Sequence, residues 1–260
     1  MEFRTSDLIK LTYTDDGVGE PVILLSGYSG IKEEWEKQKS ELLRNNYRVI
    51  TLDWRNHGES MRTSKNLRIY RLAADVSELL TSLEIQQAIF IGHSMGASAI
   101  WAYVSLFGEK HIKKIITIDQ SPKLINDENW KYGIKNVYWD NFWLNVPQTM
   151  RMHMNKIPLD VDFVNMLKQK RADNIFDFEL NAPLLANHME QDWRDVITNI
   201  KEPQLFIAGE GSPLWSYEYA NYCKKIAYYG YNEVLSKAGH LVHMEKSDEF
   251  NRIMLKFLEL

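Results

Sequence analysis

The pentapeptide Gly92-His93-Ser94-Met95-Gly96 sets a serine in the pattern G-x-S-x-G. It stands directly after the apolar run 88–91 and before the helix-like stretch 97–107, the strand-turn-helix setting that this pattern requires. A turn this tight admits only small flanking residues, strains the serine backbone and leaves the hydroxyl exposed above the strand end, near a helix N-terminus. Such a serine can attack an electrophilic carbon. At its free pKa it is a poor nucleophile, so a base must reach it from elsewhere in the chain. Of the seven histidines, His240, in Ala238-Gly239-His240-Leu241-Val242-His243, follows the last strand and precedes the last helix, where a loop delivers it to the same sheet edge. His243 competes, but its place in the first helical turn suits local packing. His93 is expected to point away from the serine beside it. His57, His111, His153 and His188 read as surface or satisfied core residues.

The elements that must position these residues show as an alternation. Strand-length apolar runs recur at 22–25, 47–52, 88–91, 115–118, 204–208 and 232–235, with helical patterns at 34–44, 69–83, 97–107, 217–227 and 247–258. In the second of these helices Leu72, Val76, Leu79, Leu80 and Leu83 recur at three- and four-residue spacing. Continuous apolar strands separated by helices predict an α/β fold with a mostly parallel central sheet covered on both faces. Residues 8–13 are a candidate antiparallel edge. The alternation stops between 120 and 193, where no strand candidate occurs and aromatic residues and methionines concentrate, among them Trp130, Trp139, Phe142, Trp143, Met150 and Phe178. This predicts a helical cap insertion, 120–193, on a core formed by 1–119 and 194–260. Most of its apolar residues should form the cap's own core, while some face a pocket. Trp139, Trp143 and Trp215 are the candidates for that lining.

Composition narrows the function classes. The 260 residues are 45% hydrophobic and 25% charged, with 31 Lys+Arg against 35 Asp+Glu and a formal net charge of −4. No basic cluster is long enough to track a phosphate backbone, so nucleic acid is disfavoured and a small molecule is the expected partner of a monomer or homodimer. Residues 88–108 lack Asp, Glu, Lys and Arg over about the length of a membrane span, but they read better as strand, turn and helix, so no membrane partner is expected. The single cysteine, Cys223, allows no internal disulfide, and no apolar leader opens the chain; both suggest the cytoplasm. No His-Glu-x-x-His, no cysteine pair and no third ligand near His240 and His243 occur, so the chemistry is expected to need neither cofactor nor metal.

Over nearly its whole length the chain resembles the α/β-hydrolase fold family. The resemblance rests on Leu25-Ser26-Gly27-Tyr28-Ser29-Gly30, on Asp53-Trp54-Arg55-Asn56-His57-Gly58-Glu59-Ser60, on 92–96 and on Gly239-His240. Within the family it is similar to small capped serine esterases and to the cofactor-free haloperoxidase-type perhydrolases. The resemblance implies an oxyanion hole from the backbone N–H groups of Tyr28 and Met95; the turn 55–58 reads as a structural turn near the pocket rim. It also implies a triad acid. Most relatives carry an aspartate in Gly-x-x-Asp after the strand at 204–208, where this chain has Gly209-Glu210-Gly211-Ser212. Two replacements are open: Glu210, and Asp119 in Asp119-Gln120-Ser121-Pro122, which resembles a subgroup of small esterases whose acid has moved to the strand after the nucleophile helix. Asp119 is preferred. The implied activity is hydrolysis of a carboxylic ester or thioester of a small apolar or aromatic substrate. The alternatives on the same fold are a cofactor-independent dioxygenase of the hydroxyquinolone ring-opening type, a C–C hydrolase or a perhydrolase.

Overall fold

The computed structural model describes residues 1–149 and 152–260; Met150 lies outside them. The sheet begins with β1 (Glu2–Arg4), β2 (Lys10–Asp16), β3 (Glu20–Leu25) and β4 (Tyr47–Leu52), and continues with β5 (Ala88–His93), β6 (Ile112–Ile118), β7 (Gln204–Gly209) and β8 (Gly230–Leu235). Their spatial order is β1-β2-β4-β3-β5-β6-β7-β8. β3 to β8 run parallel, and β1 and β2 pair antiparallel at one edge, where the sequence placed a single edge strand.

Side-chain alternation along these strands divides the core into two layers. Val22, Leu24, Val49, Ile89 and Ile91 face one side, with Trp35, Leu42, Phe250, Met254 and Phe257 from α1 (Glu36–Arg44), its preceding 3-10 turn (Lys32–Trp35) and α10 (Ser247–Leu258). Ile23, Leu25, Ile50, Leu52 and Phe90 face the other, against α2 (Ile69–Ser82), α3 (Met95–Phe107) and α8 (Glu218–Ile226), while Val242 of the short α9 (Val242–Glu245) joins the first layer. Each fully buried Leu, Ile or Phe contributes about 1.5–3 kcal/mol, so strands apolar on both faces stay in the interior. The uncharged stretch 88–108 divides into β5, a turn and α3, and among the described residues no helix is long and apolar enough to cross a membrane.

Between β6 and β7 the chain makes its long excursion. Its ends meet where Lys123 bridges Asp192 and the Trp193 N–H donates to the Pro122 carbonyl at 2.9 Å. Helices α4 (Phe142–Thr149), α5 (Val161–Ala172) and α6 (Ala182–Met189) occupy its later part, and α7 (Arg194–Asn199) returns to the core. Residues 120–141 are not helical. There Asn126 Nδ2 donates to the carbonyls of Ile134 (2.6 Å) and Val137 (3.0 Å), and Asn126 Oδ1 accepts from the Gly133 N–H at 3.0 Å. One side-chain amide thus supplies the bonds that a helix would otherwise provide.

Candidate active site

Three adjacent strand ends carry the chemistry. β3 leads to β4 on one side and the chain returns to β5 on the other, so the connections diverge at the carboxyl edge between β3 and β5. Such a divergence leaves a crevice in open α/β sheets. Leu25 pairs with Gly92 in register, which sets the loop 26–30 beside Ser94. His93 pairs with Ile118, which sets Asp119 one strand away on the other side.

Ser94 has φ +52° and ψ −122°, the strained turn expected of the motif, with its N–H held by the Ile118 carbonyl at 2.9 Å. The two glycines are required by close approach. A Cβ on Gly92 would lie 2.6 Å from the Ala97 nitrogen, and one on Gly96 would lie 2.1 Å from the Leu25 carbonyl oxygen. Both contacts are with backbone atoms, so no rotamer relieves them. Gly96→Ala is expected to cost about 3 kcal/mol, read as a lower urea midpoint at unchanged slope; a midpoint equal to that of the wild type would contradict this packing.

Asp119, fully buried at the end of β6, has φ +42°. Its Oδ2 accepts from His240 Nδ1 at 2.7 Å and from Ser212 Oγ at 2.7 Å, and its Oδ1 accepts from the Gly209 N–H at 2.9 Å. Ser212, at the position where the resemblance leads one to expect an aspartate, thus donates to the Asp119 carboxylate. Glu210 is exposed and accepts from the Lys237 N–H at 3.1 Å, away from His240. The bond from His240 Nδ1 leaves Nε2 for the cavity, where His240 and Ser94 are both wall residues.

The histidine loop is tied to the excursion through Glu245. Its carboxylate accepts from the N–H groups of Gly239, Leu241, Lys156 and Ile157 at 2.7–3.1 Å, and the His240 N–H donates to the Met154 carbonyl at 2.7 Å. Glu245 was not singled out from the sequence, and Ser212 was noted only as the residue at the vacated acid position, which was the one available signal for it.

The remaining histidines divide differently from the expectation. His57 is satisfied: Nε2 accepts from the Ser29 N–H at 3.2 Å, so Nδ1 donates to the Arg55 carbonyl at 2.8 Å, and burial pulls it down to about 4. Arg55, also fully buried, pairs with Asp75, consistent with a structural turn. His243 lies stacked on Trp35 with neither ring nitrogen bonded among the described residues, and burial pulls it down to about 3. His93 turns toward the histidine loop. Its Nε2 donates to the His240 carbonyl at 3.0 Å and its ring lies 4.6 Å from that of His240, because the end of β5 faces the histidine loop. His188, on α6, is neither at the surface nor satisfied. It is buried at the cavity wall, its Nδ1 has no partner among the described residues, and burial with His240 nearby pulls it down to about 3.

The cavity beside Ser94 has a volume of about 280 Å³. Tyr28 lies in its wall, and the Met95 N–H opens α3, whose first turn leaves donors without intrahelical acceptors. A Cβ on Gly27 would sit 3.1 Å from the Ser94 Cβ, so the loop before Tyr28 runs against the serine. Trp215 lines the cavity with its ring 5.7 Å from that of His240. Trp139 and Trp143 do not line it. They are 59% and 71% exposed: in α4 Phe142 takes the inward position and Trp143, the next helical residue, is turned about 100° away from it, while Trp139 lies in the non-helical stretch before α4.

A family model described as the alpha/beta hydrolase fold matches residues 20–144. The chain is 30% identical to a Haemophilus influenzae protein classed among the esterases and lipases, over 82% of this chain and 74% of that protein. It is 27% identical to Esterase YbfF of Escherichia coli over 92% of both chains. Among solved structures, the esterase EaEST from Exiguobacterium antarcticum superposes with a TM-score of 0.88 at 20% identity, covering 100% of this chain and 99% of that one. With an eight-stranded, mostly parallel sheet between helices and a G-x-S-x-G turn at its carboxyl edge, the chain is a hydrolase belonging to the α/β-hydrolase fold family.

Proposed function

We propose that this protein hydrolyses a carboxylic ester of a small, largely apolar substrate through an acyl-enzyme on Ser94. The observation that carries this reading is the buried 2.7 Å bond between His240 Nδ1 and Asp119, in the wall of the cavity that also holds the strained Ser94. Ser94 Oγ adds to the ester carbonyl carbon as His240 Nε2 takes its proton, and the carbonyl oxygen becomes an oxyanion facing the N–H groups of Tyr28 and Met95. Collapse of the adduct breaks the bond to the alcohol, which leaves with the proton from His240. Water, deprotonated by the same histidine, then releases the acid and restores Ser94. Asp119 fixes the imidazole tautomer and balances the imidazolium charge. Residues 120–193 act as a cap on the core of 1–119 and 194–260, closing the cavity with α5 and α6. The naming of relatives as esterases and lipases supports an ester over the other electrophiles that this fold accommodates.

A cavity of about 280 Å³ stands at the small end of ligand sites. Metal-free protein is therefore expected to turn over p-nitrophenyl esters with an optimum at short to medium acyl length and a sharp fall at long chains. Release of p-nitrophenol across that series is the check; rates equal to buffer alone for every ester would overturn the reading.

A further inference from the structure

Most of the cavity wall is aliphatic or aromatic, but among the described residues the charged side chains of Glu34 and Arg171 share it with Ser94. Glu34, in the 3-10 turn that follows the loop 26–30, is only 6% exposed. Arg171, in the last turn of α5, reaches down from the cap, and its Nη2 donates to Glu34 Oε1. Leu159, Leu167, Leu241 and Met244 pack together in the same wall; the Glu34 side chain is buried, while that of Arg171 is 42% exposed with its Nε buried.

The pair does not use up its own bonding capacity. A guanidinium carries five N–H donors in a planar fork, yet Arg171 Nε is buried with no partner among the described residues, and Nη2 serves Glu34. A fork with Nε unspent is shaped for a second, two-oxygen acceptor. The partner carboxylate is held weakly as an anion. Burial pushes Glu34 up to about 7, with Glu33 and Asp53 adding to the rise and Arg171 opposing it. Lys32, two residues before Glu34, is committed to Asp53, Glu59 and Glu33.

We propose that Arg171 and Glu34 form a subsite for a carboxylate carried by the ester substrate at a distance from the scissile bond. The inference rests on the ester-hydrolysis reading of Ser94 and specifies which esters it takes. The substrate carboxylate accepts two bonds from the Arg171 fork, and Glu34 takes a proton from solvent and donates to it. The net charge of the subsite is then zero before and after binding: Glu34 anionic with Arg171 cationic before, neutral Glu34 with Arg171 and the substrate anion after. The aliphatic and aromatic wall elsewhere receives the apolar half of the ester.

The test compares charged and neutral esters of matched shape. One pair places the carboxylate on the acyl side, p-nitrophenyl hydrogen adipate against p-nitrophenyl heptanoate. The other places it on the alcohol side, 4-carboxyphenyl butyrate against phenyl butyrate. In at least one pair, Arg171→Gln is expected to lower the charged-to-neutral ratio of kcat/KM by about tenfold, chiefly through KM. Glu34→Gln, which removes the competing negative charge, is expected to raise the same ratio a few-fold. Ratios within about twofold of the wild type in both pairs and both variants would overturn the subsite while leaving ester hydrolysis standing. Should Arg171→Gln fail to fold, the direction of the Glu34→Gln change decides: a rise supports the subsite, and no change or a fall overturns it. Absence of turnover of all four esters by the wild type overturns the hydrolysis reading, and the subsite with it.

Discussion

Ser94→Ala is expected to lower ester turnover by about 10⁴- to 10⁶-fold. The expectation follows from the mechanism proposed above for Ser94, His240 and Asp119. Without Oγ no acyl-enzyme forms, and His240 with Asp119 can only assist water at a carbonyl placed for a different attacker. What survives is substrate binding and the two backbone donors, which do not depend on the side chain at position 94. Folding should be nearly unaffected, since the positive φ of Ser94 is imposed by the neighbours of Gly92 and Gly96 and is as costly for alanine as for serine. Steady-state kinetics with matched unfolding curves check both halves of the prediction. A fluorophosphonate should add to the wild type at Ser94 and leave the variant unlabelled. Residual turnover within about tenfold of the wild type, at unchanged stability, would remove serine from the mechanism.

Asp119→Asn is the second large effect, an expected loss of about 10⁴-fold in kcat. Asp119 accepts three hydrogen bonds, from His240, Ser212 and Gly209, and as a carboxylate it has no donor to offer. An amide has one acceptor oxygen and one donor group, so at least one of these partners loses its acceptor. If the amide N–H₂ faces His240, the imidazole must present Nδ1 as an acceptor, which places its proton on Nε2 and disables it as a base toward Ser94. Glu210→Gln serves as the comparison. Its carboxylate bonds the Lys237 N–H at the surface, so turnover should stay within about threefold of the wild type. The opposite ranking, with Glu210 the sensitive position, would assign the acid to β7 and refute the geometry proposed for β6.

These expectations draw unequally on sequence and structure. The α/β character, every parallel strand, the helices on both faces and the turn at Ser94 were legible because local patterns encode them. Continuous apolar runs of strand length, helical spacing and a glycine-flanked serine each act over a few residues. The pairing of Asp119 with His240 was legible only as one of two choices, since the competing acids end neighbouring strands. What separates them is register. β5 and β6 are adjacent, with His93 opposite Ile118, so the residue after Ile118 arrives beside the turn, whereas Glu210 ends β7 and projects to the surface.

Side-chain direction in the excursion was not legible. Trp139 and Trp143 have the composition of pocket residues, but Phe142 occupies the inward position and they face outward. Nor does composition show that residues 120–141 would be organised by the Asn126 side chain and not by helical bonds. His188 read as an ordinary histidine until α6 placed it in the cavity wall, and Glu34 and Arg171, 137 residues apart, carried no motif at all.

By itself, then, the amino-acid order determined the layers, the strained serine and the loop that brings His240, because short-range periodicity and backbone sterics are written in neighbouring residues. Which carboxylate meets the imidazole, which aromatic rings line the cavity and which charges share it were decided only by tertiary structure. Those facts depend on strand register and on how the excursion seats on the sheet, and both are settled by contacts between residues far apart in the chain.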